Sequence, residues 1–256
     1  MRILLVVDET CFYQPDFVAD LLKFKREEII GCALVVKILP KNNITSYMIR
    51  NYKYLTLKEM YKLLKKRIVF FVKNTINQDI PHHFYSVKSV LKHFNIPYFQ
   101  VKYNINKREY INKIKALKPD VIISSNSLYF GYEILSIPRF CLNRHSGLLP
   151  SYGGVWPIFQ ALRNDECEVG VSVHLMNTQI DRGLVLAQYR VAIREEDTVD
   201  ALYQKCFTNS AQVCIDALIK IENGTIADCS KETPSYYSFP TQQHWREFRE
   251  RRKKFI

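Results

Sequence analysis

Residues 2–8 read Arg2-Ile3-Leu4-Leu5-Val6-Val7-Asp8, an unbroken aliphatic run closed by an acid. A strand wetted on one side alternates polar and apolar residues, whereas one covered on both faces reads as continuous Val, Ile and Leu. The run therefore predicts a buried strand of a parallel sheet. A helix-length segment from Asp16 to Phe24 and a second aliphatic run from Ile29 to Ile38 complete a βαβ opening. Leu55 to Phe70 carries apolar residues at helical spacing, with Lys58, Lys62, Lys65 and Lys66 on the remaining faces, and predicts a long surface helix. Val87–Phe94 predicts another helix, Pro97–Val101 a strand and Arg108–Leu117 a helix. Val121–Ser125 and Phe140–Asn143 add two more strands.

Strands alternating with helices over this length imply an α/β fold with a doubly wound, Rossmann-like, mostly parallel sheet. Its ligands belong beyond the carboxyl ends of the strands. After Pro150 the pattern changes to a glycine turn and a helix from Trp156 to Arg163. An antiparallel pair follows, Gly170–Met176 and Leu184–Val191, joined by the loop Asn177–Gly183. A long helix, capped by Asp197 and ending near Asn223-Gly224, opens a short C-terminal extension. The expected division is a catalytic domain over 1–195 and a C-terminal helix with a hairpin or tail over 196–256, packed on the core.

With 256 residues, 47% apolar and 24% charged, the chain has the makeup of a globular domain, which excludes a disordered or fibrous protein. The net charge of +12 is uneven. Residues 50–118 carry sixteen basic and three acidic side chains and the tail from Arg246 carries six and two, whereas residues 119–245 carry nine and fourteen. Six of the eight glycines fall between Gly131 and Gly183, so unusual backbone is concentrated there. Seven scattered cysteines without a Cys-x-x-Cys pair suit reduced thiols and a cytoplasmic protein. No apolar run approaches the ~20 residues of a membrane span, so no membrane partner is expected.

The segment Cys141-Leu142-Asn143-Arg144-His145-Ser146-Gly147-Leu148-Leu149-Pro150-Ser151-Tyr152-Gly153-Gly154 packs an amide, an imidazole, hydroxyls and three glycines into a strand end and its loop. Asn143 and His145, two apart on an extended strand, point the same way and can address one carbonyl oxygen together. Asp181, in the later loop, is a candidate to orient and charge the imidazole. Asn and His near strand ends also often only satisfy loop backbone, and spacing by itself leaves both readings open. Ser125-Asn126-Ser127 reads by itself as strand-end capping. His174 alternates with Val173 and Leu175 and reads as a surface or packing residue. No acid or cysteine at metal spacing accompanies His82-His83, and no metal is expected.

Asn143-x-His145 followed by Leu148-Leu149-Pro150-x-Tyr152-x-Gly154, then Gly170-Val171-Ser172-Val173-His174 and Ile180-Asp181-x-Gly183, resembles the signature of the 10-formyltetrahydrofolate-dependent formyltransferases. The resemblance runs from Val121 to Val191, with Arg144 and Gly153 departing from many relatives. It implies that Asn143, His145 and Asp181 form a catalytic triad acting without metal. In these roles Asn143 is an oxyanion donor, His145 moves protons between incoming and leaving nitrogens, and Asp181 orients and compensates His145. It also implies a folate pocket built mainly from the backbone of Ser125, Ser127, Leu128 and Phe130 on one side and of Asn177 and Ile180 on the other.

For the acceptor, the turn after the first strand, Asp8-Glu9-Thr10-Cys11-Phe12, is acidic and lacks glycine, which is poor for the phosphate of glycinamide ribonucleotide. The C-terminal barrel of the methionyl-tRNA enzymes is not expected in the 75 residues after Asp181. Thr233-Pro234-Ser235-Tyr236-Tyr237-Ser238-Phe239-Pro240-Thr241 is similar to a segment of sugar-nucleotide N-formyltransferases, as is the turn holding Tyr152, Gly154 and Pro157. The resemblance thus implies a dTDP- or GDP-linked amino sugar held by Tyr152, Gly154, Pro157 and Tyr237, a product used in surface polysaccharides such as lipopolysaccharide O-antigen, and a homodimer. The alternatives are a methionyl-tRNA formyltransferase-like enzyme and a basic RNA-binding α/β protein. The latter lacks the aromatic and basic interleaving of RNA modules, so no nucleic-acid partner is expected.

Overall fold

A computed structural model describes residues 1–37, 52–76 and 83–256. Seven strands form one sheet: β1 (Ile3–Asp8), β2 (Ile29–Lys37), β3 (Tyr98–Lys102), β4 (Val121–Ser125), β5 (Phe140–His145), β7 (Glu168–Leu175) and β8 (Val185–Ala192). Their spatial order is β3-β2-β1-β4-β5-β7-β8. The first five run parallel, whereas β7 is antiparallel to both β5 and β8. The order reverses beside β1, which makes the carboxyl ends of β1 and β4 the switch point of a doubly wound sheet. All six residues of β1 are buried, as a strand covered on both faces requires. Ile38, the expected end of the second strand, lies outside the described residues.

Helices α1 (Gln14–Lys25), α3 (Val87–His93) and α7 (Val199–Glu222) cover one face of the sheet, with Phe17, Leu21, Val90, Leu91, Phe207, Cys214 and Leu218 in its core. Helix α4 (Arg108–Leu117) and the short α5 (Tyr132–Leu135) cover the other through Tyr110, Ile111, Ile114 and Ile134. A third apolar cluster joins α6 (Pro157–Arg163), α7 and α8 (Gln242–Glu250), where Phe159 stacks on Phe248 at 4.6 Å.

Three expectations are corrected. Helix α7 is capped by Thr198, whose hydroxyl accepts from the Ala201 amide at 3.1 Å, not by Asp197. Asp197 instead pairs with Lys205 and accepts from the Arg194 amide, so the acid stabilises the turn before the helix. The expected C-terminal hairpin is absent among the described residues: β9 (Tyr236–Tyr237) pairs in parallel with β6 (Gly153–Gly154) of the glycine turn. The basic tail packs against the body: Arg249 pairs with buried Glu59, Lys253 with Asp165, and Arg251 donates to the Arg163 carbonyl. Finally, α2 (Leu57–Ile76) is the expected lysine-rich helix, but Glu59 is its only buried residue and its apolar stripe faces outward.

Candidate active site

Asn143 and His145 sit at the carboxyl end of β5 with their side chains on one face of the sheet, as alternation dictates. Asp181 arrives from the loop between β7 and β8, in the left-handed region at φ 53°, and its side chain is buried. That loop closes tightly: a Cβ on Gly183 would lie 1.5 Å from the Leu175 carbonyl oxygen, so only glycine permits the return that carries Asp181 inward.

The three side chains converge. Asp181 Oδ2 lies 3.7 Å from His145 Nδ1, and its Oδ1 lies 3.4 Å from Asn143 Nδ2. The other face of His145 is closed by the Tyr152 carbonyl, 2.9 Å from Nε2. Both ring nitrogens thus look at acceptors, an environment that suits a ring gaining a proton. Burial pushes the His145 imidazole down from its ordinary value, with Asp181 opposing that shift. Burial alone would raise Asp181. His145, His174 and the Gly154 amide, which donates to Oδ2 at 2.8 Å, together hold its carboxyl well below the usual carboxylate range.

His174 is a fourth member that the strand alternation did not reveal. It is 2% exposed, and its Nε2 is 3.3 Å from Asn143 Nδ2 and 3.5 Å from Asp181 Oδ1. Its Nδ1 lies 2.9 Å from the Leu175 carbonyl, and its Nε2 faces both the Asn143 amide and the Asp181 carboxylate. It is neither a surface residue nor simple packing. Ser172 and Gln188 were also missed. Ser172 Oγ donates to the Gly147 carbonyl at 2.6 Å and accepts from the Leu149 amide at 3.0 Å, while Gln188 donates to the Leu149 carbonyl at 2.7 Å. They pin the loop after His145, and their polarity at inward strand positions was the available signal.

The expected folate-side residues divide by exposure. Ser125 is buried and tied to Gln14, and Phe130 is buried in the core, so neither side chain is free to meet a ligand. Leu128 is partly buried, with its amide held by Asn126. Ser127, Asn177 and Ile180 are exposed. An open cleft of about 630 Å³ lies between these segments, lined by Tyr129, Thr178, Gln179, Ile180, Arg182 and Tyr236.

On the acceptor side, Tyr152 and Tyr237 stack at 5.4 Å and 15°, and Asn164 donates to both hydroxyls. Gly154, at φ 95°, lies against β9: a Cβ there would meet the Tyr237 carbonyl oxygen at 2.1 Å. Pro157 is buried at the start of α6 and serves the loop, not an open surface. His82 lies outside the described residues. Among those residues no group of three or more His, Cys, Asp or Glu is arranged to hold a metal. No described helix is long and apolar enough to cross a membrane.

A doubly wound sheet with a half-buried Asn, two buried His and an Asp at its carboxyl edge defines an α/β protein equipped for oxyanion stabilisation and proton transfer. Residues 65–218, more than half of the chain, match the formyl transferase family, and the chain belongs to that family. It is 34% identical over 142 residues to a methionyl-tRNA formyltransferase of Thermotoga maritima, covering 55% of this chain and 45% of that protein. The chain therefore spans about half the length of the curated relative it matches. Its fold is that of a sugar N-formyltransferase from Shewanella sp FDAARGOS_354, with TM-score 0.59, 16% identity, and coverage of 98% of this chain and 87% of the other. A similar likeness links it to WlaRD, described as a sugar 3N-formyl transferase in the presence of dTDP and 5-N-formyl-THF. There the TM-score is 0.57 and the identity 16%, over 93% of this chain and 69% of that one.

Proposed function

We propose that the protein transfers a formyl group from 10-formyltetrahydrofolate to the amine of a dTDP- or GDP-linked amino sugar, giving an N-formylated sugar for surface polysaccharide. The observation that carries formyl transfer is the convergence of Asn143, His145 and Asp181, with both His145 nitrogens facing acceptors. The acceptor nitrogen attacks the formyl carbon as the carbonyl oxygen becomes an oxyanion. Asn143 Nδ2 holds its present partners at only 3.3 and 3.4 Å, long contacts that exchange readily for a charged oxygen. His145 accepts the proton released by the attacking amine, and the resulting ring donates both to the Tyr152 carbonyl and towards Asp181. Asp181 compensates the imidazolium, and the proton then passes to N10 as the carbon–N10 bond breaks and tetrahydrofolate leaves.

The sugar reading is supported by the pairing of Tyr236–Tyr237 with the glycine turn, whose Gly154 amide donates to Asp181, and by the Tyr152–Tyr237 stack that this pairing forms. The cleft lined by Tyr129 and Ile180 is the folate side of this reading. A second reading, formylation of methionyl-tRNA, draws on the names of the curated relatives. Incubation with 10-formyltetrahydrofolate and a panel of dTDP- and GDP-amino sugars, beside charged initiator tRNA, separates the two by mass spectrometry and tRNA acid gels. A formylated sugar nucleotide that fails to form with His145→Ala is the expected outcome. Formylation of tRNA alone overturns the acceptor, and turnover undiminished in His145→Ala overturns the site.

A further inference from the structure

Helix α2 is amphipathic with its apolar side turned away from the protein. Its inner side is held by Glu59 to Arg249, Lys66 to Asp200, and Phe70 against Phe12. Opposite these contacts, Leu57, Met60, Tyr61, Leu64, Ile68, Phe71 and Val72 are between 43% and 85% exposed. At 100° per residue they fill one continuous sector ~120° wide. Lys58 and Lys65 border it on one side and Arg67 on the other, and its one acid, Glu59, is turned inward. Few soluble surfaces leave such a patch uncovered.

We propose that this face of α2 docks the protein peripherally on an anionic lipid surface, with the apolar sector in the headgroup boundary and the bordering lysines and arginine on lipid phosphates. Charge complementarity selects the occupant: the charged residues that border the face, Lys58, Lys65 and Arg67, are all basic, so what covers it is anionic. A second copy fits poorly, because an antiparallel pairing of α2 about its centre sets Lys65 and Arg67 of each copy against their own equivalents. The sector is also wider than the narrow seam a single partner helix fills. Phe70 packs on Phe12, just past β1, so the docked face lies at the carboxyl end of the sheet, the end that carries the candidate active site. The inference concerns a surface and stands independently of the acceptor reading.

Vesicle flotation tests it with the full chain. The protein is expected to float with vesicles containing phosphatidylglycerol, to stay with the soluble fraction beside pure phosphatidylcholine, and to be released by high salt. A lysine at an anionic surface contributes about fivefold in binding, so Lys58→Glu with Lys65→Glu lowers affinity at least ~25-fold. Leu64→Glu with Phe71→Glu abolishes flotation. Lys107→Glu with Lys113→Glu, at the N-cap and within α4 across the sheet, alters net charge equally and leaves flotation intact. All six positions are exposed, and unchanged thermal unfolding checks that each variant folds. Equal loss in the α4 variant overturns the proposal in favour of general charge attraction. Absence of flotation overturns it as well, and a dimer in sedimentation that Leu64→Glu dissociates would assign the face to a second copy.

Discussion

Asp181→Asn tests the electrostatic part of the proposed chemistry, because the amide keeps the size of the carboxylate and removes its charge, while turning one of two accepting oxygens into a donor. The wild-type carboxylate lies 3.7 Å from His145 Nδ1, and both side chains are 8% exposed. At an effective dielectric of about 20, opposite unit charges at that distance attract by about 4 kcal/mol, felt only when the imidazole is protonated. Formyl transfer protonates His145 on the way to the transition state, so turnover is expected to fall about 1,000-fold while the Michaelis constants change little. Removing the carboxylate also removes the interaction that opposes the burial-lowered His145 pKa, so the acid limb of the pH–rate profile moves to lower pH. Tetrahydrofolate release, followed by absorbance over a pH series, reads both quantities. A folded Asp181→Asn protein retaining turnover within fivefold of wild type, or an acid limb moving to higher pH, would refute the reasoning.

Further perturbations probe the frame around the site. Gly154→Ala forces a side chain into φ 95° and against the Tyr237 carbonyl, costing roughly 1–3 kcal/mol. It should release β9 and raise the acceptor Michaelis constant more than the folate one in two-substrate kinetics. Thr198→Ala removes the α7 cap and should cost about 1 kcal/mol, read as a melting temperature about 2–4 °C lower. Glu59→Gln tests the joint between α2 and the tail. Burial pushes the Glu59 carboxyl up, but the Arg249 guanidinium and the Thr56 and Phe255 amides outweigh it and hold the carboxyl below its ordinary value. Because that pKa is depressed on folding, its stabilisation is complete at neutral pH and is lost as pH falls through the folded value. The melting difference between wild type and Glu59→Gln should therefore be full at pH 7 and shrink steadily in acid. A difference independent of pH would show that the ion pair contributes nothing.

The sheet was legible in the chain because buried parallel strands and their crossover helices impose periods that local sequence carries. The runs at Ile3–Asp8, Val121–Ser125 and Phe140–His145 stand within a residue or two of where their apolar patterns put them. Asn143 and His145 were legible too, since two residues on one strand share a face whatever surrounds them. Helix α8 was missed, although Thr241 with His244 forms a capping box and Trp245 and Phe248 mark an apolar face.

Sequence alone determined the alternation of strands and helices, the polar end of β5 and the glycine-rich loops, because each depends on residues adjacent in the chain. Tertiary structure decided the rest. Asp181 meets His145 across 36 residues only because Gly183 closes the loop after β7. His174 becomes polar machinery instead of packing because β7 runs antiparallel beside β5. Tyr237 reaches Tyr152 through a two-residue pairing that no local pattern announces. The outward turn of α2 follows the same logic. Helical period defines an apolar stripe, but which side the body covers depends on partners such as Arg249 and Asp200, more than 130 residues away.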